Sequence, residues 1–365
     1  MDPQTVFCPN QACPARGQTD QDNIRIYSRK EKRYRCTLCR KTFSERAATP
    51  FYWCHVEETT IVCVLTLLSF GCPTMAIEAA FGFDRRTVRA WLKKAGTHCE
   101  HLHQEQVVQP RRLLQVQADE LRIKIQNGIL WMATAIEVQT RLFLGGLVSQ
   151  RRDRSLIDQL AGRIRACAFE GSMLLVTDGL KTYIKAFKRA FREQVPTGKA
   201  ERPPYRPWPG LVIGQVVKRY ERRRVKGVEH RLVAGFNALK KRLIRSSQGR
   251  RGVLNTAYIE RLKATFRSHL SGLVRRTRSL WRKQEMVEAG MHLFGGIYNF
   301  CLPHASLRLA DGTARTPAMA AGLTNQVWTI EALLHYRVAP PRGPPPKRRG
   351  RPSKQMQELI ERWTA

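Results

Sequence analysis

The chain has 365 residues and sets 64 Lys and Arg against 29 Asp and Glu, a formal net charge of +35. With 42% hydrophobic residues it can bury a core, which excludes wholesale disorder, and no apolar run approaches the roughly 18–20 residues of a membrane span. The acidic, then cysteine-rich start excludes an ordinary secretory signal, and so large a positive charge selects a polyanion, nucleic acid first, as partner.

In chain order, the first element is a cysteine framework. Cys8 and Cys13 form a loose pair in FCPNQACP, and Cys36 and Cys39 form a CxxC in KRYRCTLCRKTFS. Two close pairs joined by a hairpin-like arm match a four-thiolate zinc ribbon over residues 1–50, holding one structural Zn²⁺. The competing assignment is two disulfides, which a basic chain without a secretory signal disfavours. The remaining six cysteines read as packing residues. The cluster His98-Cys99-Glu100-His101-Leu102-His103 follows the expected end of a helix and reads as a capped helix end rather than a second metal site.

From about Glu57 to Ala95 the pattern is helical. Ile61, Val64, Leu65 and Leu68 recur at three- and four-residue spacing. A short helix over Pro73–Phe81, a turn at Gly82, an N-cap at Asp84 and the basic helix RRTVRAWLKKAG make a helix-turn-helix layout over 55–98. Arg85, Arg86, Arg89 and Lys93 face outward there and are the expected DNA contacts. Residues 1–98 together read as a two-part DNA-binding region.

Beyond Arg112 the period changes. LLQVQADELRIKI, GILWMATAIEVQ and RLFLGGLVSQ predict three strands, with turns at Asn127-Gly128 and near Thr140. A helix over Ser155–Ala168, the strand SMLLVTDGL and the helix KTYIKAFKRAF follow. Three meandering strands, a helix and a further strand are the order of the ribonuclease H-like fold, predicted here for residues 110–305. That order brings Asp119, in the first strand, beside Asp178, at the end of the fourth. A basic segment at about 197–252 reads as a β-rich insertion, and the stretch from Val253 to Phe300 reads as long helix with Glu260 near its start. Lys263 and Arg267 share the Glu260 face one and two turns on. Three converging carboxylates suit two Mg²⁺ (or Mn²⁺) ions and phosphodiester chemistry, because hard oxygen ligands leave room for water and phosphate. Each acid also has a bland reading: an edge-strand charge, a turn aspartate, an exposed helix glutamate. Glu120 competes with Asp119, and strand alternation predicts that only one of the two enters the site.

The cysteine ribbon, RRTVRAWLKKAG, QADEL, VTDGLKTY and NTAYIERLKATFRSHLSGLVRRT together resemble the DDE transposases of the insertion-sequence-one type, to about Leu302. The resemblance implies a catalytic triad of Asp119, Asp178 and Glu260 and a phosphate or DNA contact at Arg267. It implies double-stranded DNA as substrate (terminal repeats and target), and synapsis of two ends implies a homodimer or higher oligomer. Leu121-Arg122 stands where relatives carry an aromatic, and Lys263 where they carry Asn; neither change removes a metal ligand. An inactive DNA-binding regulator and a plain metal-dependent nuclease are the alternative functions. The tail, 337–365, is proline-rich, basic and expected to be disordered. Its Arg349-Gly350-Arg351-Pro352 matches an AT-hook that lies in the minor groove of A·T-rich DNA. The expected architecture is thus multidomain α/β: zinc ribbon, helix-turn-helix, ribonuclease H-like domain and basic tail. The expected location is cytoplasm and nucleoid, or the nucleus in a eukaryote.

Overall fold

The computed structural model describes residues 1–195, 204–222, 224–274, 280–339, 358 and 362. The chain divides into two compact units, Met1–Ile61 with Leu334–Ala365, and Val62–Leu333. No helix among the described residues is long and apolar enough to cross a membrane.

The first unit is built on a small antiparallel sheet of β1 (Ile24–Ser28), β2 (Arg33–Cys36) and β3 (Thr42–Ser44), in that order. Its core includes Cys8, Cys13 and Cys36, with Val6, Ile24, Tyr34 and Phe43 packed around them. Arg337 belongs to this unit: its guanidinium donates to the carbonyls of Glu45 at 2.7 Å and Ala47 at 2.9 Å. Residue 337, expected to open a free tail, is instead held by two backbone acceptors. Arg349 and Arg351 lie outside the described residues.

Helix α1 (Glu58–Ser69) buries Ile61, Val64, Leu65 and Leu68, as their spacing predicts. In the second unit α2 (Thr74–Phe81) ends at Gly82, whose φ of 72° places it in the left-handed region and whose N–H reaches the Glu78 carbonyl at 2.9 Å. Helix α3 (Arg85–Leu102) is capped by Asp84, which accepts from the Arg86 N–H at 2.6 Å. The helix does not stop near residue 98. It runs to Leu102 and closes with a π turn over His103–Val107, since Val88, Leu92, Ala95, Cys99 and Leu102 form one continuous apolar stripe. The histidines of the 98–103 cluster are therefore helical. His98 bonds the Leu333 carbonyl and His103 the Leu144 carbonyl, each at 3.2 Å.

The large sheet comprises β4 (Gln115–Ile125), β5 (Gly128–Glu137), β6 (Phe143–Ser149), β7 (Met173–Thr177), and two strands from the basic segment described below. Helix α4 (Arg154–Ala166) connects β6 to β7, and α5 (Lys181–Ala190) follows β7. A minor hairpin, β8 (Arg192–Gln194) with β9 (Tyr205–Pro207), leads to β10 (Leu211–Glu221) and β11 (Arg224–Ala234). The six strands lie in the order β11-β10-β7-β4-β5-β6. The β4–β7 and β7–β10 pairs are parallel and the rest antiparallel.

The 197–252 segment supplies the expected strands, β10 and β11, but they extend the main sheet. Leu211 to Gln215 of β10 pair with β7 inside the main sheet, and Leu211, Val212 and Ile213 are buried there. The segment also contains a helix, α6 (Asn237–Gln248), that sequence reading passed over.

The expected long helix after Val253 breaks into α7 (Ala257–His269) and α8 (Gln284–Phe300). Leu270 is extended at φ −115° and ψ 106°, and Gly272 lies so close to the Trp281 indole that a Cβ would stand 2.8 Å from it. The chain closes the unit through α9 (Pro317–Ala320) and reaches α10 (Ile330–His335).

The glycine pair in β6 shows how both faces of the sheet are covered. A Cβ on Gly145 would meet Arg163 of α4, and one on Gly146 would meet Met291 of α8. Leu121, Ile123, Met132 and Phe143 pack with Ile259, Leu262 and Phe266 of α7 and Phe294 of α8. Each such buried side chain contributes roughly 1.5–3 kcal/mol. Gly96 of α3 approaches Ala289 of α8 too closely for any larger residue, its notional Cβ standing 2.4 Å from the Ala289 Cα. The second helix of the expected helix-turn-helix is thus packed into the core of the large unit.

Candidate active site

Asp119 and Asp178 meet because β4 and β7 are parallel neighbours. Gln117 stands opposite Val176, so Asp119 and the residue just past the end of β7 fall at the same level. Glu260 arrives from a third direction, in the first turn of α7. The buried side chain of Gln117 sets that direction. Its Nε2 donates to the Asn255 carbonyl at 2.7 Å, and its Oε1 accepts the Ile259 N–H at 3.0 Å. A single residue two places before Asp119 thereby ties the start of α7 to β4. Gln215 of β10 does the same for the Asp178 turn, donating to the Asp178 carbonyl at 2.8 Å.

Asp119, Asp178 and Glu260 line one cavity of about 510 Å³ together with Lys218, Lys263 and Arg267. Lys263 is ion-paired with Asp119 and Lys218 with Glu260. The Asp119–Lys263 pair is 14% and 13% exposed, so it is largely shielded from solvent. Thr256 donates to Glu260 Oε1 at 3.1 Å. Burial opposes ionisation of Glu260, but Lys218, with Thr256 and Lys263, outweighs it and holds the carboxyl below its ordinary range. Asp178 behaves oppositely. Burial and then the neighbouring Asp119 charge raise it, against the Leu180 N–H and the cations of Arg152 and Lys263.

Glu120 is the residue the sequence placed least well. Strand alternation starts the two side chains on opposite sides of the pleat, yet Glu120 does not leave the site. Oxygens of Asp119, Glu120 and Asp178 all lie within 4.8 Å of one another. Arg152 bridges the two faces, 3.1 Å from Glu120 and 3.8 Å from Asp178, with its guanidinium over the Trp131 ring. The Glu120 side chain is fully buried, and burial raises its carboxyl despite Arg152. Its Oε1 and the Tyr183 hydroxyl are both buried without a hydrogen-bond partner. Burial, then the charges of Glu120, Asp119 and Asp178, raise the Tyr183 phenol well above its usual range.

This donor set fits hard divalent cations. Three carboxylates supply oxygen ligands within one small volume, one carboxylate oxygen is buried with no donor, and Lys263 beside Asp119 and Arg152 beside Glu120 and Asp178 offset their charge. Glu260 stands outside the tight group of three; it lines the same cavity and is ion-paired with Lys218.

The second metal-capable group is in the first unit. Zinc with sulfurs at about 2.3 Å requires a tetrahedron whose edges are about 3.8 Å. The Cys8–Cys39 and Cys13–Cys36 Sγ pairs stand 3.5 Å and 3.8 Å apart, and all four sulfurs lie within 4.8 Å of one another. All four are free thiols. Burial raises Cys8 well above its ordinary value and Cys13 to about 11. Burial also opposes the Cys39 thiolate, but the Lys41 backbone N–H and bonds from Asn10, Cys8 and Cys36 lower it to about 7. Asn23 donates to Cys36 Sγ at 3.6 Å. Two thiols raised by burial beside one lowered by donors describe a cluster suited to a cation. These two groups are the metal-capable clusters among the described residues, and the 98–103 histidines form none.

Arg85, Arg86, Arg89 and Lys93 are exposed on α3, with Arg85 paired to Glu78 and Lys93 to Glu285 at 2.9 Å. Gln117, Gln215, Lys218, Arg152 and Tyr183 were not singled out from sequence. The available signal was the glutamine in QVQADEL and in LVIGQVV, a polar residue inside an otherwise apolar strand. Compared with known proteins, the chain matches no family model and no curated sequence.

Proposed function

We propose that the chain is a DDE transposase of the insertion-sequence-one type, which cuts transposon ends and joins them to target DNA. The observation that carries the reading is the meeting of Asp119, Asp178 and Glu260, from three distant segments, in one cavity that also holds Lys218, Lys263 and Arg267. The sheet order supports a ribonuclease H-like catalytic domain, with three antiparallel strands β6-β5-β4 followed by parallel β7 and β10. In this reading Asp119, Asp178 and Glu260 hold two Mg²⁺ or Mn²⁺ ions, and Cys8, Cys13, Cys36 and Cys39 hold one structural Zn²⁺. The divalent ions supply Lewis-acid stabilisation of the attacking and leaving oxygens of a phosphodiester.

The chain's own residues orient and neutralise. Gln117 and Gln215 fix the carboxylates to the sheet. Lys218, Lys263 and Arg267 supply positive charge for the phosphodiester backbone. Hydrolysis of one strand frees a 3′-hydroxyl. That hydroxyl then attacks a target phosphorus, so a new O–P bond forms, the old P–O bond breaks, and the departing oxygen takes up a proton. Arg85, Arg86, Arg89, Lys93 and the tail arginines Arg349 and Arg351 serve end and target binding, within a dimer or larger synaptic assembly.

Asp119→Asn, Asp178→Asn and Glu260→Gln each lower cleavage of labelled end DNA by at least about 10³-fold while end binding stays within a few-fold. Cleavage at the wild-type rate in any of the three would remove that residue from the triad.

A further inference from the structure

Helix α7 presents a second polar face to a separate pocket. Glu260, Lys263 and Arg267 look into the carboxylate cavity, whereas Tyr258, Arg261 and Thr265, spaced by three and four residues, line a different pocket of about 320 Å³. Arg141, Tyr298 and His304 also line it, with Ile136, Leu262 and Ser306 among the other walls. No carboxylate lines it.

Arg141 enters this pocket from an unusual backbone. It sits in the β5–β6 turn at φ 61°, in the left-handed region that arginine rarely occupies. Its guanidinium carbon lies 4.1 Å from the centre of the Tyr258 ring. The Nη1 atom is buried and has no hydrogen-bond partner. Burial weakens the Arg141 cation, and only Tyr258 and Tyr298 oppose that effect. His304 feels the same field. Burial, then Arg141 and Arg261, lower its imidazole to about 4. Its ring also packs edge-on against Tyr298 at 4.8 Å. A half-buried guanidinium with a bare N–H, a second arginine beside it and no acid in the walls is a cation site that lacks its anion.

We propose that this pocket binds a phosphate group, clasped by Arg141 and Arg261 with His304 alongside. A planar guanidinium presents paired donors that match phosphate oxygens, and a strained backbone held in place to aim one is a common feature of binding sites. The phosphate is either part of a DNA backbone or carried by a free small molecule, since both present the same oxyanion. The site is independent of cleavage at the carboxylate cavity and stands whether or not that cavity cuts DNA.

The test is an NMR titration of His304 in the full-length protein labelled at histidine Cε1. With 10 mM inorganic phosphate the His304 midpoint should rise from about 4 by about one unit or more, because a bound anion favours the imidazolium. The Arg261→Gln variant, changed at an exposed helix position, and Arg141→Gln should each lose most of the phosphate-dependent rise. Their own starting midpoints should lie above that of the wild type, since each lacks one neighbouring cation. A DNA duplex at micromolar concentration that produces the same rise identifies the backbone as the source. A rise with phosphate alone identifies a free phosphorylated ligand. A midpoint unmoved by both, moved equally by chloride at matched ionic strength, or responding fully in both variants would overturn the proposal.

Discussion

Replacing Gln117 by Met keeps the size of the side chain and removes its hydrogen bonds. Gln117 is fully buried, and its hydrogen bonds, at 2.7 Å to the Asn255 carbonyl, 3.3 Å to Asn255 Oδ1 and 3.0 Å to the Ile259 N–H, join β4 to the first turn of α7. The Ile259 N–H is one of the amides that a helix N-terminus leaves without an internal partner. Each lost bond costs about 1 kcal/mol, and each buried group left unsatisfied costs about 1–3 kcal/mol. Local anchoring of α7 should therefore weaken by about 2–4 kcal/mol. Hydrogen exchange reads this directly: amides in the first two turns of α7 should exchange at least about 30-fold faster, as 1.4 kcal/mol is tenfold. Glu260 sits one residue past the lost contact, so cleavage should fall by about 10²-fold, the usual effect of a displacement near 1 Å. Exchange within twofold of wild type in α7 would refute the idea that Gln117 positions Glu260.

Cys36→Ser should remove bound zinc, measured as metal content per chain, and expose the first unit to proteolysis, because Cys8, Cys13 and Cys36 lie in its core; one zinc per chain in this variant would count against the cluster. Asp178→Asn should raise the unfolding temperature of metal-free protein at pH 7. A carboxyl whose folded pKa is raised stabilises the fold below its unfolded value, near 3.8, and loses that contribution as pH rises through the folded value. The advantage of the variant should therefore vanish at low pH and invert when Mg²⁺ is added at pH 7. A variant that melts with the wild type at every pH, with or without Mg²⁺, would contradict the crowding of Asp178.

Much of the large unit was legible because its signals are local. Alternating and apolar runs around QVQADEL, GILWMATAIE and MLLVT mark β4, β5 and β7, and Asp84 and Gly82 mark the ends of α3 and α2. What was missed depends on partners far along the chain. The apolar start of β10 reads equally well as an independent hairpin until β7 is placed beside it. Nothing near Leu270 breaks the helical pattern except Gly272, and only the Trp281 indole gives that glycine its purpose. Likewise α3 continues past residue 98 because α8 covers it.

The candidate site divides in the same way. Asp119, Asp178 and Glu260 stood out as acids in motif positions, whereas Glu120 was set aside by an alternation rule that is correct for the strand. The rule describes where a side chain leaves the backbone. It says nothing of where a buried carboxylate ends when Arg152 draws it toward Asp178. Lys218 counted in sequence as bulk positive charge and Lys263 as a DNA contact on the Glu260 face, yet they are the partners of Glu260 and Asp119. That pairing is visible only once β10 and α7 face each other.

The most direct measurement incubates the purified full-length protein with labelled transposon-end DNA, unlabelled target DNA and Mg²⁺, then resolves the products on a denaturing gel. The account predicts Mg²⁺-dependent products longer than the input strand, in which a labelled 3′ end is joined to target, and their loss in Asp119→Asn. Shortened strands with no joined product would leave a nuclease, and end binding with neither product would contradict a transposase altogether.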